Sequence, residues 1–186
     1  VKWDDQPGSP EAAIESVLRA NRIMRRHPQG PVYIVLDVAM QESKLDPVPE
    51  IPDVARYAVE PDPAPTAESV TAALGMLKSA TSPLIMVGRV SRNQADWDRR
   101  IAFAEALGAN VITNQRIAAA FPTHHPLHPN HLNYRTTAED EALIREADVI
   151  LNLDWLDFGG TLKAAGGVGA KIISVSMDDL NSNGWS

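Results

Sequence analysis

The sequence predicts an α/β protein whose larger part, residues 66–186, forms a doubly wound parallel sheet. From residue 66 onward, short apolar strands alternate with helices, and the connections between them are short. Such alternation favours right-handed crossovers and therefore parallel strands with helices on both faces. A helix and a separate apolar strand precede a proline-rich stretch, so we expect them to belong to a different α/β domain.

Composition narrows the classes of protein that this chain can represent. Its 186 residues carry a net charge of −7 and no block of Lys and Arg, which argues against a nucleic-acid surface. The absence of cysteine excludes disulfides, zinc–thiolate sites and thiol catalysis, and it fits the cytoplasm. We find neither a signal peptide nor an apolar run long enough to span a membrane. The opening "VKWDDQPGSP" suggests that the chain begins inside a longer protein.

Residues 1–45 are predicted to contain one helix followed by one strand. Ser9 suits the N-cap, Pro10 the first turn and Glu11 the positive end of a helix dipole. The run 31–36 is apolar on both faces, as is typical of a parallel strand covered on both sides. Most of its sheet is therefore expected outside this chain. Four arginines lie toward the negative end of the helix: Arg19, Arg22, Arg25 and Arg26. They are interpreted as matching the helix dipole, and an anion site is the alternative.

Residues 46–65 are predicted to be an extended linker, because prolines remove the backbone donors that a regular element needs. Its six prolines are Pro47, Pro49, Pro52, Pro61, Pro63 and Pro65.

Residues 66–186 are predicted to form the larger domain, truncated at its C-terminal end. The first half is expected to run from a helix that starts at Thr66 to a strand over 84–88, a helix over 94–107 that Gly108 ends, and a strand over 110–114. A helix to Ala147 follows, with a capping box of Thr136 and Glu139. The last elements are a strand over 148–154, a glycine-rich turn over 159–169 and a strand over 171–176. In the first helix, Val70, Leu74 and Leu77 are in register for one apolar face.

Ligands of a doubly wound sheet lie at the carboxyl ends of the strands, so the turns that follow the strands hold the candidate binding residues. Weak candidates for a nucleotide are Gly88, Arg89, Asn114, Gln115 and Asp154. The dinucleotide fingerprint G-x-G-x-x-G is absent, because Gly88 stands alone. Gly88 therefore fits a tight exit from the strand better than a phosphate site, although Arg89 and Arg92 could reach an anion.

Other groups of polar residues in the sequence do not form a recognisable metal or catalytic site. Four histidines lie in the segment 124–131, but prolines interrupt their spacing and no carboxylate or thiol completes a metal site. Asp154 and Asp157 would need a cleft to act as paired acids. No G-x-S-x-G elbow anchors a hydrolase triad. By these residues alone the chain is a nucleotide-binding-like α/β domain without a recognisable catalytic or metal-binding residue.

Four segments, in order, resemble thiamine diphosphate-dependent enzymes of the acetolactate synthase type. "RRHPQGPVYIVLDV" is similar to the end of that family's pyrimidine-binding domain, where the strand runs into a short Pro-Asp element. Here the proline is missing, since Leu36 precedes Asp37. "TAESVTAALGMLKSATSPLIMVGRV", "ALGANVITNQRIAAAFPTHHPLHP" and "EADVILNLDWLDFGG" are similar to successive units of its central, Rossmann-like domain. The resemblance covers nearly the whole chain.

The resemblance implies a parent enzyme with three α/β domains that uses thiamine diphosphate and Mg²⁺. The family's activating glutamate and its G-D-G…N motif belong to regions with no counterpart here, and Gly-Asp-Gly occurs nowhere in the chain. The chain alone is therefore expected to lack catalytic residues and not to bind that cofactor. Its implied partners are the remaining domains of the same enzyme, within a homo-oligomer.

The turns after two strands depart from relatives that hold FAD in the central domain. Those relatives place a glycine cluster and a Gly-Ala-Arg-type turn where this chain has Gly88-Arg89-Val90 and Leu153-Asp154-Trp155. We therefore expect little or no FAD binding, and a related lyase or decarboxylase fits as well as acetolactate synthase. The alternatives are a freestanding nucleotide-binding module and an assembly domain without catalysis.

Overall fold

The structure, a computed structural model, describes residues 1–130 and 133–178. The chain forms two compact units, Val1–Ala64 and Pro65–Ser186. Within the described residues, no helix has both the length and the apolar character needed to cross a membrane.

The first unit is built on a pair of parallel strands. Strand β1 (Trp3–Asp5) pairs with β2 (Val32–Ile34), and helix α1 (Pro10–Arg25) connects them. As the sequence predicts, Ser9 caps α1, its Oγ accepting the N–H of Ala12 at 3.2 Å. The strand at Val32 also belongs to a different sheet from the strand at Leu84, as expected.

Two expectations for the first unit need correction. Strand β1 precedes α1 and was missed, because Trp-Asp-Asp has neither the length nor the alternation that marks a strand. Strand β2 is not buried on both faces by the described residues, since Tyr33 is 61% exposed.

The proline-rich stretch contains local structure that its composition conceals. Helix α2 (Val38–Glu42), capped by Asp37, lies just before the proline-rich stretch. A 3₁₀ turn (Val54–Tyr57) lies within the stretch, in a part that has no proline. Beyond that turn, Glu60 pairs with Arg22 of α1 at 3.2 Å, and Asp62 lies 2.6 Å from Nδ1 of His27. These two side-chain contacts attach the stretch to the end of α1.

The second unit is a four-stranded parallel sheet with helices on both faces. Its elements are helix α3 (Ala67–Lys78), strand β3 (Pro83–Val87), helix α4 (Gln94–Leu107), strand β4 (Asn110–Ile112), helix α5 (Ala138–Glu146), strand β5 (Val149–Leu153), helix α6 (Phe158–Ala164) and strand β6 (Lys171–Val175). The strand order is β4-β3-β5-β6, and every neighbouring pair is parallel. The predicted doubly wound sheet is therefore confirmed.

Alternate strand residues bury two separate hydrophobic cores. On one face, Ile85 and Leu151 pack with Leu77 of α3 and Ala104 of α4. On the other face, Met86 and Ile150 of the strands pack with Ile144 and Phe158, from helices α5 and α6. This period of two places α3 and α4 on one side of the sheet and α5 and α6 on the other.

Two details of the helices differ from the sequence prediction. The capping box of α5 is formed by Thr137 and Asp140, one residue later than predicted. In α3, Leu77 is 4% exposed as expected, but Val70 and Leu74 are 40% and 39% exposed, so the described residues cover only part of the apolar face.

A carboxylate at the start of β5 fixes the loop that leads into β3. Asp148 accepts the backbone N–H groups of Thr81 at 2.6 Å and Ser82 at 3.0 Å, together with the Thr81 hydroxyl. These hydrogen bonds lower the pKa of Asp148. They align the amino ends of the two central strands, and thereby help to set where their carboxyl ends meet.

Candidate functional site

The candidate site lies where strands β3 and β5 end. From β3 the chain crosses through α4 to β4 on one side, and it later returns through α5 to β5 on the other side. The two crossovers use opposite faces of the sheet. This change of direction is the switch point of a doubly wound sheet, where a ligand crevice generally opens.

Here the two strand exits touch instead of separating. The N–H of Gly88 donates to the Leu153 carbonyl at 2.9 Å, and the N–H of Arg89 donates to the Asp154 carbonyl at 3.0 Å. A Cβ at Gly88 would lie 2.0 Å from the Asp154 carbonyl oxygen. Gly88 is therefore required for close approach between two turns of this protein, which supports the tight-exit interpretation over a phosphate site.

An ion-pair cluster covers this contact. Nε of Arg89 lies 2.7 Å from Oδ2 of Asp154, and its Nη2 lies 2.9 Å from Oδ2 of Asp178, the described residue that follows β6 by three positions. The Ser176 hydroxyl donates to Asp154 as well. Partial burial lowers the pKa of Arg89, but its hydrogen bonds to Asp178 and Asp154 outweigh that effect and raise the pKa overall.

Asp154 bends sharply to make these contacts. Its φ of 53° is in the left-handed region, which Asp and Asn adopt more readily than most residues. Its N–H donates to the Val175 carbonyl at 2.9 Å, so the β5 exit is joined to β6 as well as to β3. The sequence marked Asp154 as the end of a strand, and the structure adds its role as the centre of the cluster.

The remaining candidates have structural partners nearby. Asn114 follows β4, next to β3 in the sheet, and its Oδ1 accepts the N–H of Arg116 at 2.9 Å. The N–H of Gln115 donates to the Asn133 carbonyl at 3.0 Å. Asp157 caps α6 by accepting the N–H of Gly160 at 3.2 Å, so Asp154 and Asp157 do not act as a pair.

One buried polar residue at this end of the sheet was missed. Asn152, the fourth of the five residues of β5, accepts the N–H of Trp155 at 2.8 Å and donates to the Ser174 hydroxyl at 3.0 Å. The indole N–H of Trp155 in turn donates to Thr161 of α6 at 3.0 Å. A polar residue inside an apolar strand, "VILNL", was the available signal, because a buried amide needs partners.

The histidine-rich loop packs around an aromatic ring. His128 is 5% exposed, its Nε2 lies 2.9 Å from the Thr113 hydroxyl, and its ring stacks on Phe121 at 6.4 Å between centroids. His125 contacts the edge of Phe121 and lies 3.2 Å from Glu105 of α4. The described residues, which leave out His131, contain no group of three or more metal-ligating side chains.

Burial of His128 makes stability depend on pH. Desolvation lowers the pKa of His128 in the folded chain, and the Nδ1 atom has no partner among the described residues. The neutral ring is therefore favoured by folding. The neutral ring contributes fully to the free energy of unfolding above the unfolded pKa of about 6.5, and this contribution is lost as the pH falls from that value toward the lower pKa of the folded chain.

We predict that the free energy of unfolding falls by up to about 1.4 kcal/mol per pH unit as the pH drops below about 6.5, because of this one histidine. The measurement is urea denaturation across that range, with His128→Gln expected to flatten the slope. His124→Gln, at an exposed position in the same loop, is the control and should leave the slope as it is. Equal slopes for the protein and its His128→Gln variant would contradict the prediction.

The geometry defines an α/β domain of the doubly wound class whose switch point is filled by its own side chains. The family model described as "Thiamine pyrophosphate enzyme, central domain" matches residues 70–183. The chain belongs to the thiamine pyrophosphate enzyme family and contains its central domain.

Two curated relatives carry the same name, sulfoacetaldehyde acetyltransferase. The one from Rhodobacter capsulatus is 33% identical over 155 residues, which is 82% of this chain and 25% of the relative. The one from Alcaligenes xylosoxydans xylosoxydans is 34% identical over 118 residues, which is 61% of this chain and 20% of the relative. The chain thus spans a quarter or less of the relatives that it matches.

Solved structures agree with the fold over almost the whole chain. Benzoylformate decarboxylase from Polynucleobacter necessarius superimposes with a TM-score of 0.72 at 26% identity, covering 98% of this chain and 34% of that one. The 4-hydroxybenzoylformate decarboxylase of Rhodococcus jostii RHA1 gives a TM-score of 0.71 at 22% identity, with 98% and 35% covered. At 22% identity, the second likeness shows the fold alone.

Proposed function

We propose that this chain is part of a thiamine diphosphate-dependent carboligase or decarboxylase that acts on 2-oxo acids, with an acetolactate synthase-like activity as the finer assignment. Residues 66–186 would supply the central domain, and residues 1–45 the end of the pyrimidine-binding domain, joined by the linker 46–65. The observation that carries the proposal is the family match over residues 70–183. The relatives' names, an acetyltransferase and a decarboxylase, support a transferase or lyase class.

The described acids at the candidate site do not suit the thiamine diphosphate and Mg²⁺ that the family implies. A Mg²⁺ ion needs oxygen ligands that it shares with the cofactor's phosphates. Among the described acids at the candidate site, Asp157 caps α6, while Asp154 and Asp178 hold Arg89. The sequence also lacks Gly-Asp-Gly. We therefore assign the cofactor to other regions of the enzyme and give the central domain a structural role.

Exposed apolar side chains support partners within the same enzyme. In the second unit, Val70 and Leu74 of α3 and Ile172 and Val175 of β6 are exposed. In the first unit, Tyr33 and Val17 are exposed as well. Exposed apolar side chains of this kind suit contacts with further domains or with another copy in a homo-oligomer, which we propose to reside in the cytoplasm. The same side chains favour the second candidate, an assembly module without catalysis.

The test compares this chain with the full-length protein that carries it. Each is mixed with thiamine diphosphate and Mg²⁺, and then with pyruvate, benzoylformate or sulfoacetaldehyde. We expect the full-length protein to bind the cofactor and release CO₂ from a 2-oxo acid, whereas the chain alone should show neither saturable binding nor turnover. Removal of Mg²⁺ by a chelator is the control.

Each other result has a definite meaning. Turnover by the chain alone would contradict the assignment of the catalytic residues to other regions. Consumption of sulfoacetaldehyde without activity on 2-oxo acids would replace the proposed substrate class. A full-length protein that forms oligomers but lacks any thiamine-dependent activity would favour the assembly module.

A further inference from the structure

The switch-point crevice of a doubly wound sheet can receive an anionic nucleotide when two conditions hold. The two strand exits must separate, so that backbone N–H groups face the phosphates, and the surrounding charge must be neutral or positive. In this chain both conditions can be checked at the ends of β3 and β5. Neither depends on the proposed thiamine chemistry.

The backbone condition fails because the donors are already in use. The N–H groups of Gly88 and Arg89 donate to the carbonyls of Leu153 and Asp154 across the gap. The carbonyl of Asp154 occupies the space beside Gly88, where even a methyl group would meet it at 2.0 Å. The one glycine in this turn is thus consumed by a contact between two parts of the protein.

The charge condition fails because the cation is neutralised internally. Arg89 is the cationic side chain in the cluster, and it lies within 3 Å of carboxylates from two different strand exits, Asp154 and Asp178. One guanidinium and two carboxylates give a formal charge of −1, which repels a phosphate. The carboxylate of Asp154 is largely buried, with 11% of its side chain exposed, so solvent screens it weakly.

We infer that the ion-pair cluster of Arg89, Asp154 and Asp178 closes the switch-point crevice, and that these two carboxylates take the place of a nucleotide's phosphates. The domain keeps the fold of a nucleotide-binding domain, while its own side chains fill the ligand position. Arg89 then acts as a positioning residue that joins the exits of β3, β5 and the segment after β6.

The first test measures the melting temperature of the full chain with ADP, FAD or inorganic pyrophosphate. A ligand at about 100 times its Kd raises the melting temperature of a domain of this size by about 5–10 °C. We expect no shift with any of the three. A saturable shift with ADP or FAD, or a yellow protein as purified, would overturn the inference.

The second test removes the carboxylates and leaves the arginine. In an Asp154→Gly/Asp178→Ala variant, glycine adopts the φ of 53° without strain, and Arg89 loses both acidic partners. The backbone N–H groups of Gly88 and Arg89 stay paired in this variant, so only the charge condition changes. We expect the guanidinium of Arg89 alone to hold pyrophosphate, an anion smaller than a nucleotide, and to raise the melting temperature by several degrees. A further Arg89→Gln change should abolish that rise. A folded double variant that ignores pyrophosphate would overturn the inference.

The matched control is Asp157→Gly. Asp157 has nearly the same φ, 54°, and lies three residues further along, but it caps α6 and does not contact Arg89 in the described contacts. This variant should remain unresponsive to pyrophosphate. A response equal to that of the double variant would show that general loss of negative charge, and not opening of the cluster, admits the anion.

A third measurement needs no variant and therefore covers the case in which the double variant fails to fold. The Nε atom of Arg89 is buried, and it lies 2.7 Å from Oδ2 of Asp154 in an ion-pair contact without hydrogen-bond geometry, so burial alone protects its proton. Its N–H proton should give a slowly exchanging NMR signal that ADP leaves unchanged. Rapid exchange of that proton, or a shift of its signal on adding ADP, would show that the crevice is open.

Discussion

Replacing Gly88 with alanine is expected to lower the free energy of unfolding of the second unit by about 3 kcal/mol, near the upper end for overpacking. The new Cβ would lie 2.0 Å from the Asp154 carbonyl oxygen and 2.5 Å from Cα of Trp155. Both are backbone atoms held by neighbouring hydrogen bonds, so neither can rotate away as a flexible side chain would. Guanidinium denaturation followed by circular dichroism measures the loss.

A second glycine provides the control for this substitution. Gly75 lies inside α3, and a Cβ there meets nothing within 4 Å. The change Gly75→Ala should therefore raise stability by about 0.5–1 kcal/mol, because alanine has a higher helix propensity. Opposite signs for the same chemical change would trace the Gly88 effect to the contact between the turns. A neutral Gly88→Ala variant would contradict that contact.

Loss of the Arg89 side chain is the other large effect that we expect. Changing Arg89 to methionine keeps much of the side-chain volume but leaves the carboxylates of Asp154 and Asp178 without their cation. Asp154 is 8% exposed, so the remaining charge is poorly solvated. We expect a loss of about 2–3 kcal/mol, below the range for fully buried pairs because Arg89 keeps 29% of its side chain exposed.

A double-mutant cycle isolates the interaction itself. Asp154→Asn removes the carboxylate charge, and asparagine also tolerates a positive φ. The variant that carries both Arg89→Met and Asp154→Asn should lose less free energy of unfolding than the two single variants lose together. We expect a coupling of about 1.5–2 kcal/mol that persists in high salt. The same cycle on Arg99 and Asp96, an exposed pair on α4 at 3.0 Å, should give about 0.5 kcal/mol or less. Equal couplings would contradict the role given to the cluster.

The sequence predicted those helices and strands that are long enough to show an apolar run or a periodic apolar pattern. Strand β3 is a continuous apolar run, β5 is apolar except for Asn152, and Gly108 ends helix α4 in the left-handed conformation that its sequence position indicates. The elements that were missed, β1 and α2, have three and five residues, too few for any periodicity. The capping box of α5 moved by one residue because Thr136 and Thr137 are each followed three positions later by an acid.

The candidate site was only half predictable. The sequence predicted the turns after the strands as the place of a ligand site, and it indicated a tight strand exit at Gly88, whereas Arg89 was left as a residue that could reach an anion. Their partners could not be found, because Asp154 and Asp178 lie 65 and 89 positions away from Arg89 in the chain. The burial of His128 against Phe121 and Thr113 was equally hidden, since it depends on how the loop after β4 folds back.

The sequence by itself determined the α/β class, the succession of helices and strands along the second unit and the resemblance to thiamine diphosphate-dependent enzymes. Apolar periodicity and the order of motifs are local properties of the chain. Only the tertiary structure decided what fills the switch point. Parallel pairing brings the ends of β3, β5 and β6 to one edge of the sheet, and there Arg89 meets two distant carboxylates. The physical reason is that charge pairing depends on distances of about 3 Å in space, and separation along the chain does not reveal them.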